Sequence, residues 1–145
     1  MKFHLETLGC QSNVLESEYL AGLLAREGWI AVADPSEADW ILINTCSVRH
    51  HAEMKVFSRL GVLSEWKQAH PGKRLGVLGC MAVAYQEKIL KRFPALDLVA
   101  GPDQYARVPR FMAAPAVAGE VWAGFDPQAF PFNPEKGGAK RFKAF

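Results

Sequence analysis

Two stretches of this chain, Trp40–Ile43 and Leu75–Leu78, contain no charged or polar side chain. A strand with one wet face alternates apolar and polar residues. A run without alternation belongs to a strand buried on both faces, which calls for a parallel sheet with helices above and below it. The other segments fit that frame. Phe3, Leu5 and Leu8 mark a first strand, and Gly9-Cys10-Gln11-Ser12-Asn13 a turn. Asn13, with Glu16 three residues on, reads as the cap of a helix in which Leu15, Tyr19 and Leu23 keep helical spacing as far as Gly28. Trp29–Val32 is a second strand and Asp34-Pro35-Ser36 a turn. Val48, Ala52, Val56, Leu60, Leu63 and Trp66 place one apolar face on a long helix that stops at Pro71-Gly72. Ala82–Arg92 has helical character before Pro94, Leu96–Val99 gives a fifth strand, and Tyr105–Met112 a last short helix. The series predicts a three-layer α/β, flavodoxin-like fold with a five-stranded parallel sheet in the order 2-1-3-4-5.

Size is compatible with one compact domain, since 145 residues, half of them apolar, can bury a sizeable core. A formal charge of +2 does not announce a nucleic-acid partner. The start, Met1 to Leu5, alternates in polarity unlike a signal peptide, and no apolar run is long enough to cross a bilayer. The expectation is a cytoplasmic monomer with no membrane partner.

The three cysteines, Cys10, Cys46 and Cys80, each follow one of the strand segments. Folds of this class build their sites at the carboxyl edge of the sheet, where each of these residues would emerge. In the order 2-1-3-4-5, strands 1, 3 and 4 are neighbours. At about 4.8 Å between strands, thiols on their exits would fall within about 10 Å of one another, the scale of an iron–sulfur cube. Gly9 and Gly79, each preceding a cysteine, would let the backbone approach a bulky inorganic ligand. An odd number of widely spaced cysteines also argues against a disulfide framework.

Other readings stand beside this one. A lone cysteine is often only a small buried hydrophobe. Zinc, with His50 or His51 completing a three-cysteine, one-histidine set, is the main metal competitor, although paired C-x2-C spacing is absent. A flavodoxin-like interaction module without metal is a third, but the first turn lacks the glycine- or hydroxyl-rich run that cradles a phosphate.

At Gly9-Cys10-Gln11-Ser12-Asn13, Asn44-Thr45-Cys46-Ser47-Val48-Arg49 and Gly79-Cys80, the chain resembles the N-terminal domain of the radical-SAM methylthiotransferases. The likeness runs from about Lys2 to Pro109 and includes Ala52, Lys55-Val56 and Gly101-Pro102. Around Cys46 it is nearest to the members that act on N(6)-isopentenyladenosine in tRNA, whereas those acting on a ribosomal protein or on threonylcarbamoyl-adenosine differ there. The resemblance implies that Cys10, Cys46 and Cys80 hold an auxiliary 4Fe-4S cluster whose fourth iron, without a protein ligand, carries sulfur. It implies tRNA as the substrate of the whole enzyme, S-adenosylmethionine as methyl donor and radical source, and a second 4Fe-4S cluster. Gln11, Asn13, Asn44 and Thr45, beside the ligands, are candidates for contacts around the cluster. Arg49 is a candidate for pairing with an anion. Ser12 stands where the family often has a larger side chain.

One departure qualifies the likeness. The radical-SAM cluster needs a C-x3-C-x2-C loop, and three cysteines cannot supply both sets. The expected arrangement is a cluster domain over residues 1–122 and, over 123–145, a linker toward a radical-SAM domain beyond this chain, with no turnover by the fragment alone. Pro127, Pro131, Pro134, Gly137 and Gly138 interleave with Phe125, Phe130 and Phe132 there, and Lys136, Lys140, Arg141 and Lys143 make the end basic.

Overall fold

A computed structural model describes residues 1–46, 50–115 and 120–122. Strands β1 (Lys2–Leu8), β2 (Ile30–Ala31), β3 (Trp40–Thr45), β4 (Arg74–Gly79), β5 (Leu98–Ala100) and β6 (Glu120–Trp122) form one sheet in the order β2-β1-β3-β4-β5-β6. Every pairing is parallel. The anticipated order 2-1-3-4-5 holds, and β6 extends it beyond β5. That strand was not anticipated, because Glu120-Val121-Trp122 is too short to show a period and borrows its conformation from β5.

Helices α1 (Gln11–Arg26) and α5 (Val108–Ala113) cover one face, and α2 (His50–Ala69), α3 (Cys80–Tyr85) and α4 (Glu87–Arg92) the other. The pleat of β3 divides the core. Trp40 and Leu42 pack with Leu20, Leu24 and Phe111 on the first face, while Ile41 and Ile43 pack with Val56, Leu60 and Ile89 on the second. All six residues of β3 are buried, as an apolar run between two helical layers requires.

Three expectations are corrected. Leu15 and Tyr19 are 46% and 50% exposed, and the inward face of α1 is instead Asn13, Ser17, Leu20 and Leu24. The helical stretch Ala82–Arg92 is two helices, broken at Gln86 with φ 48°. The segment Tyr105–Met112 is divided between a 3-10 helix, Pro102–Arg107, and α5. Ser47, Val48, Arg49 and the segment 123–145, with its basic residues, lie outside the described residues.

Candidate metal centre at the carboxyl edge of the sheet

The strand register brings the cysteines to one edge. Leu8 of β1 pairs with Thr45 of β3, and Thr45 with Gly79 of β4. Cys46 and Cys80 follow the two paired residues directly, and Cys10 follows Leu8 by two. None of the three forms a disulfide; Cys10 is exposed, Cys80 half-buried and Cys46 buried. Their thiols are near enough to influence one another: Cys46 acts on Cys10, and both act on Cys80.

The environments of the outer two differ. Cys10 is the N-cap of α1, and the backbone N–H groups of Ser12 and then Asn13 hold its thiol below the ordinary value, as a helix N-terminus does for a thiolate. Burial pushes the Cys80 thiol up, followed by the Glu16 carboxylate and the other two cysteines. Bringing three negative sulfurs together is unfavourable unless a cation or an iron–sulfur core takes up the charge.

Behind the thiols lies a buried polar frame. Asn13, 2% exposed, does not cap α1 with Glu16 as its box partner; it sits at the third position of the first turn. There its Oδ1 accepts from Cys10 N at 3.1 Å, and its Nδ2 donates to Thr45 O at 2.9 Å and to Asn44 Oδ1 at 3.4 Å. Asn44 donates from Nδ2 to Asn13 O at 2.9 Å and to Ser17 Oγ at 3.0 Å, and its Oδ1 accepts from the Tyr105 hydroxyl at 3.0 Å. Thr45 Oγ1 donates to Leu78 O at 2.7 Å, tying β3 to β4. Ser17 shares a 2.7 Å hydrogen bond with Thr7 of β1. Buried amides and hydroxyls are tolerated only when partnered in this way.

The glycines Gly9 and Gly79 serve the packing of the exits. A Cβ on Gly79, whose φ is +95°, would fall 2.3 Å from Thr45 O and 2.6 Å from Asn44 Oδ1. One on Gly9 would fall 2.2 Å from Asn13 Oδ1 and 2.9 Å from Cys46 Cβ. Both let neighbouring strand exits close on each other.

Asn13, Asn44 and Thr45, the candidates for contacts around a cluster, staple the exits through protein contacts. Gln11 is exposed on the first turn of α1, outside the frame. Tyr105, Ser17 and Glu16 were missed as partners. Tyr105, 2% exposed, reaches Asn44 across 61 residues of sequence and also Glu16 Oε2 at 3.3 Å. Burial, and then Glu16, push its hydroxyl far above the ordinary tyrosine range, so it remains a donor.

Among the described residues, no group of three His, Cys, Asp or Glu could hold a metal ion. Thiolates sharing one zinc stand about 3.8 Å apart, given Zn–S bonds of about 2.3 Å. A 4Fe-4S cluster asks less convergence, because each thiolate binds a different iron. The side chains of His50 and His51, the fourth ligand of the zinc reading, lie outside the described residues. Three thiols on adjacent strand exits, backed by a satisfied frame, are donors of the type that iron–sulfur clusters use.

Fold and edge define a flavodoxin-like α/β domain with a thiol-bearing carboxyl edge. The chain belongs to uncharacterized protein family UPF0004, whose model matches residues 2–101. It is 49% identical over 106 residues, 73% of this chain, to a tRNA-2-methylthio-N(6)-dimethylallyladenosine synthase of Rhodopirellula baltica. Likeness to synthases of the same name is 45% over 77% of the chain in Roseobacter denitrificans and 41% over 96% in Ruegeria pomeroyi. The chain covers 22%, 25% and 32% of those relatives' lengths, respectively. The methylthiotransferase likeness is thus borne out across most of the chain. No helix among the described residues is long and apolar enough to cross a membrane.

Proposed function

We propose that this chain is the part of a tRNA methylthiotransferase that holds an auxiliary 4Fe-4S cluster on Cys10, Cys46 and Cys80. The whole enzyme would add a methylthio group to C2 of N(6)-isopentenyladenosine next to the anticodon, in the cytoplasm. The observation that carries this reading is the meeting of the three cysteines at the exits of neighbouring strands β1, β3 and β4. The names of the similar synthases support the substrate.

The cluster, with three thiolates for four irons, would supply an iron open to hold the sulfur that is transferred. The chain's own residues would provide the rest of the setting. The α1 N-terminus favours the Cys10 thiolate, Asn13 and Asn44 hold the exits in register, and Thr45 keeps β3 and β4 from sliding. Residues 1–122 would be the cluster domain and 123–145 a linker. S-adenosylmethionine and a second 4Fe-4S cluster are assigned to a radical-SAM domain beyond these residues, packed on this one. Alone, the chain would bind a cluster without turnover.

The test exchanges this chain for the matching segment of the Roseobacter denitrificans synthase, in a host lacking its own enzyme, and reads the tRNA nucleosides by mass spectrometry. The intact chimera should yield the 2-methylthio nucleoside, and Cys46→Ala should leave N(6)-isopentenyladenosine unchanged. A folded chimera that produces none, or a Cys46→Ala chimera as productive as the intact one, would count against the assignment.

A further inference from the structure

Asn44 Oδ1 is the point at which the cysteine-bearing exits meet. It accepts from Asn13 Nδ2 on the Cys10 side, a Cβ on Gly79 would lie 2.6 Å from it on the Cys80 side, and Asn44 is two residues from Cys46. The remaining approach is taken by the Tyr105 hydroxyl at 3.0 Å. That hydroxyl comes from the 3-10 helix after β5, an element that carries none of the cysteines. A carboxamide has two chemically distinct ends, and a donor at Oδ1 fixes which end faces which neighbour. With Oδ1 held by Tyr105, Nδ2 is directed to Asn13 O and Ser17 Oγ. Flipped, the amide would set N–H against the Asn13 Nδ2 and tyrosine donors and oxygen against the Asn13 carbonyl.

We propose that Tyr105 is a positioning residue for the cysteine site: its hydroxyl locks the Asn44 amide, and through Asn44 and Asn13 it sets the spacing of Cys10 and Cys46. Glu16 is the second acceptor of the same hydroxyl and steadies the tyrosine from α1. The iron-dependent half of the test rests on the cluster reading above; the thiol-dependent half does not.

The variant is Tyr105→Phe in the 145-residue chain, which removes one oxygen and keeps the ring in its apolar surroundings. Dibromobimane, which becomes fluorescent when it bridges two nearby thiols, reads the Cys10–Cys46 spacing in the metal-free protein, with Cys80→Ala in the background. Wild-type spacing should give efficient bridging and Tyr105→Phe a several-fold lower rate, while circular dichroism stays the same. After anaerobic loading with ferrous iron and sulfide, iron release to a chelator should be about tenfold faster in Tyr105→Phe, the scale on which partners of ligating residues act. The electron paramagnetic resonance spectrum of the reduced cluster should shift as well. Glu16→Gln, which keeps an acceptor for the hydroxyl, should bridge and release iron nearly as the wild type does.

If Tyr105→Phe bridges at the wild-type rate, the positioning role is overturned whether or not iron is bound. A wild-type chain that takes up no cluster would overturn the cluster reading, and the bridging rates would still decide the role of Tyr105. Equal loss of bridging in Tyr105→Phe and Glu16→Gln would overturn the amide lock, since only one of them removes the donor.

Discussion

Asn44 is wholly buried, and each polar atom of its side chain is engaged. Asn44→Ala would take one partner each from Asn13 O and from the Ser17 and Tyr105 hydroxyls, which keep Thr7 and Glu16, so a loss of about 1–3 kcal/mol in urea unfolding is expected. Gly79→Ala should be more severe: the residue has positive φ, which costs about 1–2 kcal/mol for an alanine, before the clash with Thr45 O is counted. The expected outcome is a large fall in the urea midpoint, with none of the tolerance shown by surface glycines. At this scale the sequence shows some of the residues at the edge and hides others. Cys10, Cys46 and Cys80 are legible because each ends a strand, a local property. The work of Asn13 and Asn44 is not, since their partners lie 31 residues apart in the chain. Tyr105 gives no local signal at all, because a buried tyrosine in an apolar segment looks like core until its hydroxyl's partner is seen.

Among the elements, β1 and α2 are joined by the Glu6 carboxylate and the Arg59 guanidinium, which meet in a two-pronged ion pair. Burial raises the Glu6 pKa, but the hydrogen bonds and charge of Arg59 outweigh it, and the carboxyl lies below its ordinary value. A depressed carboxyl contributes stability that is present above its unfolded pKa and lost as pH falls through the folded one. Wild-type chain should therefore lose more stability than Glu6→Gln between neutral pH and pH 3. The difference should be no more than about 1 kcal/mol, because the pair is partly solvated. Leu60→Ala, in the α2 face packed on the sheet, should cost about 2–5 kcal/mol by calorimetry or urea titration. The inward face of α1 shows why one helix was read in the wrong rotation. Its first two inward positions, Asn13 and Ser17, are polar because they meet Asn44, while Leu15 and Tyr19 are turned outward. A hydrophobic period misleads where a helix serves a polar site. The buried strands β3 and β4 carried no such conflict, and their placement was legible in full.

For the whole molecule, the topology is the link between sequence and chemistry. Placing β1 between β2 and β3, with β4 beyond β3, turns cysteines separated by more than thirty residues into neighbours on one rim. Val14 near the start of α1, Met54 near the start of α2 and Val83 in α3 are all exposed. Whether the three thiols act as one ligand set is read by loading the chain anaerobically with ferrous iron and sulfide. Iron and labile sulfide are then counted and the absorption spectrum recorded for the wild type and for Cys10→Ala, Cys46→Ala and Cys80→Ala. The expected result is about four irons and four sulfides with a broad band near ~400 nm in the wild type, lost in each variant, as thiolate ligation of a 4Fe-4S cluster requires. A wild type without that band, or any one of the three variants that keeps it at full strength, would show that the three thiols do not ligate one cluster.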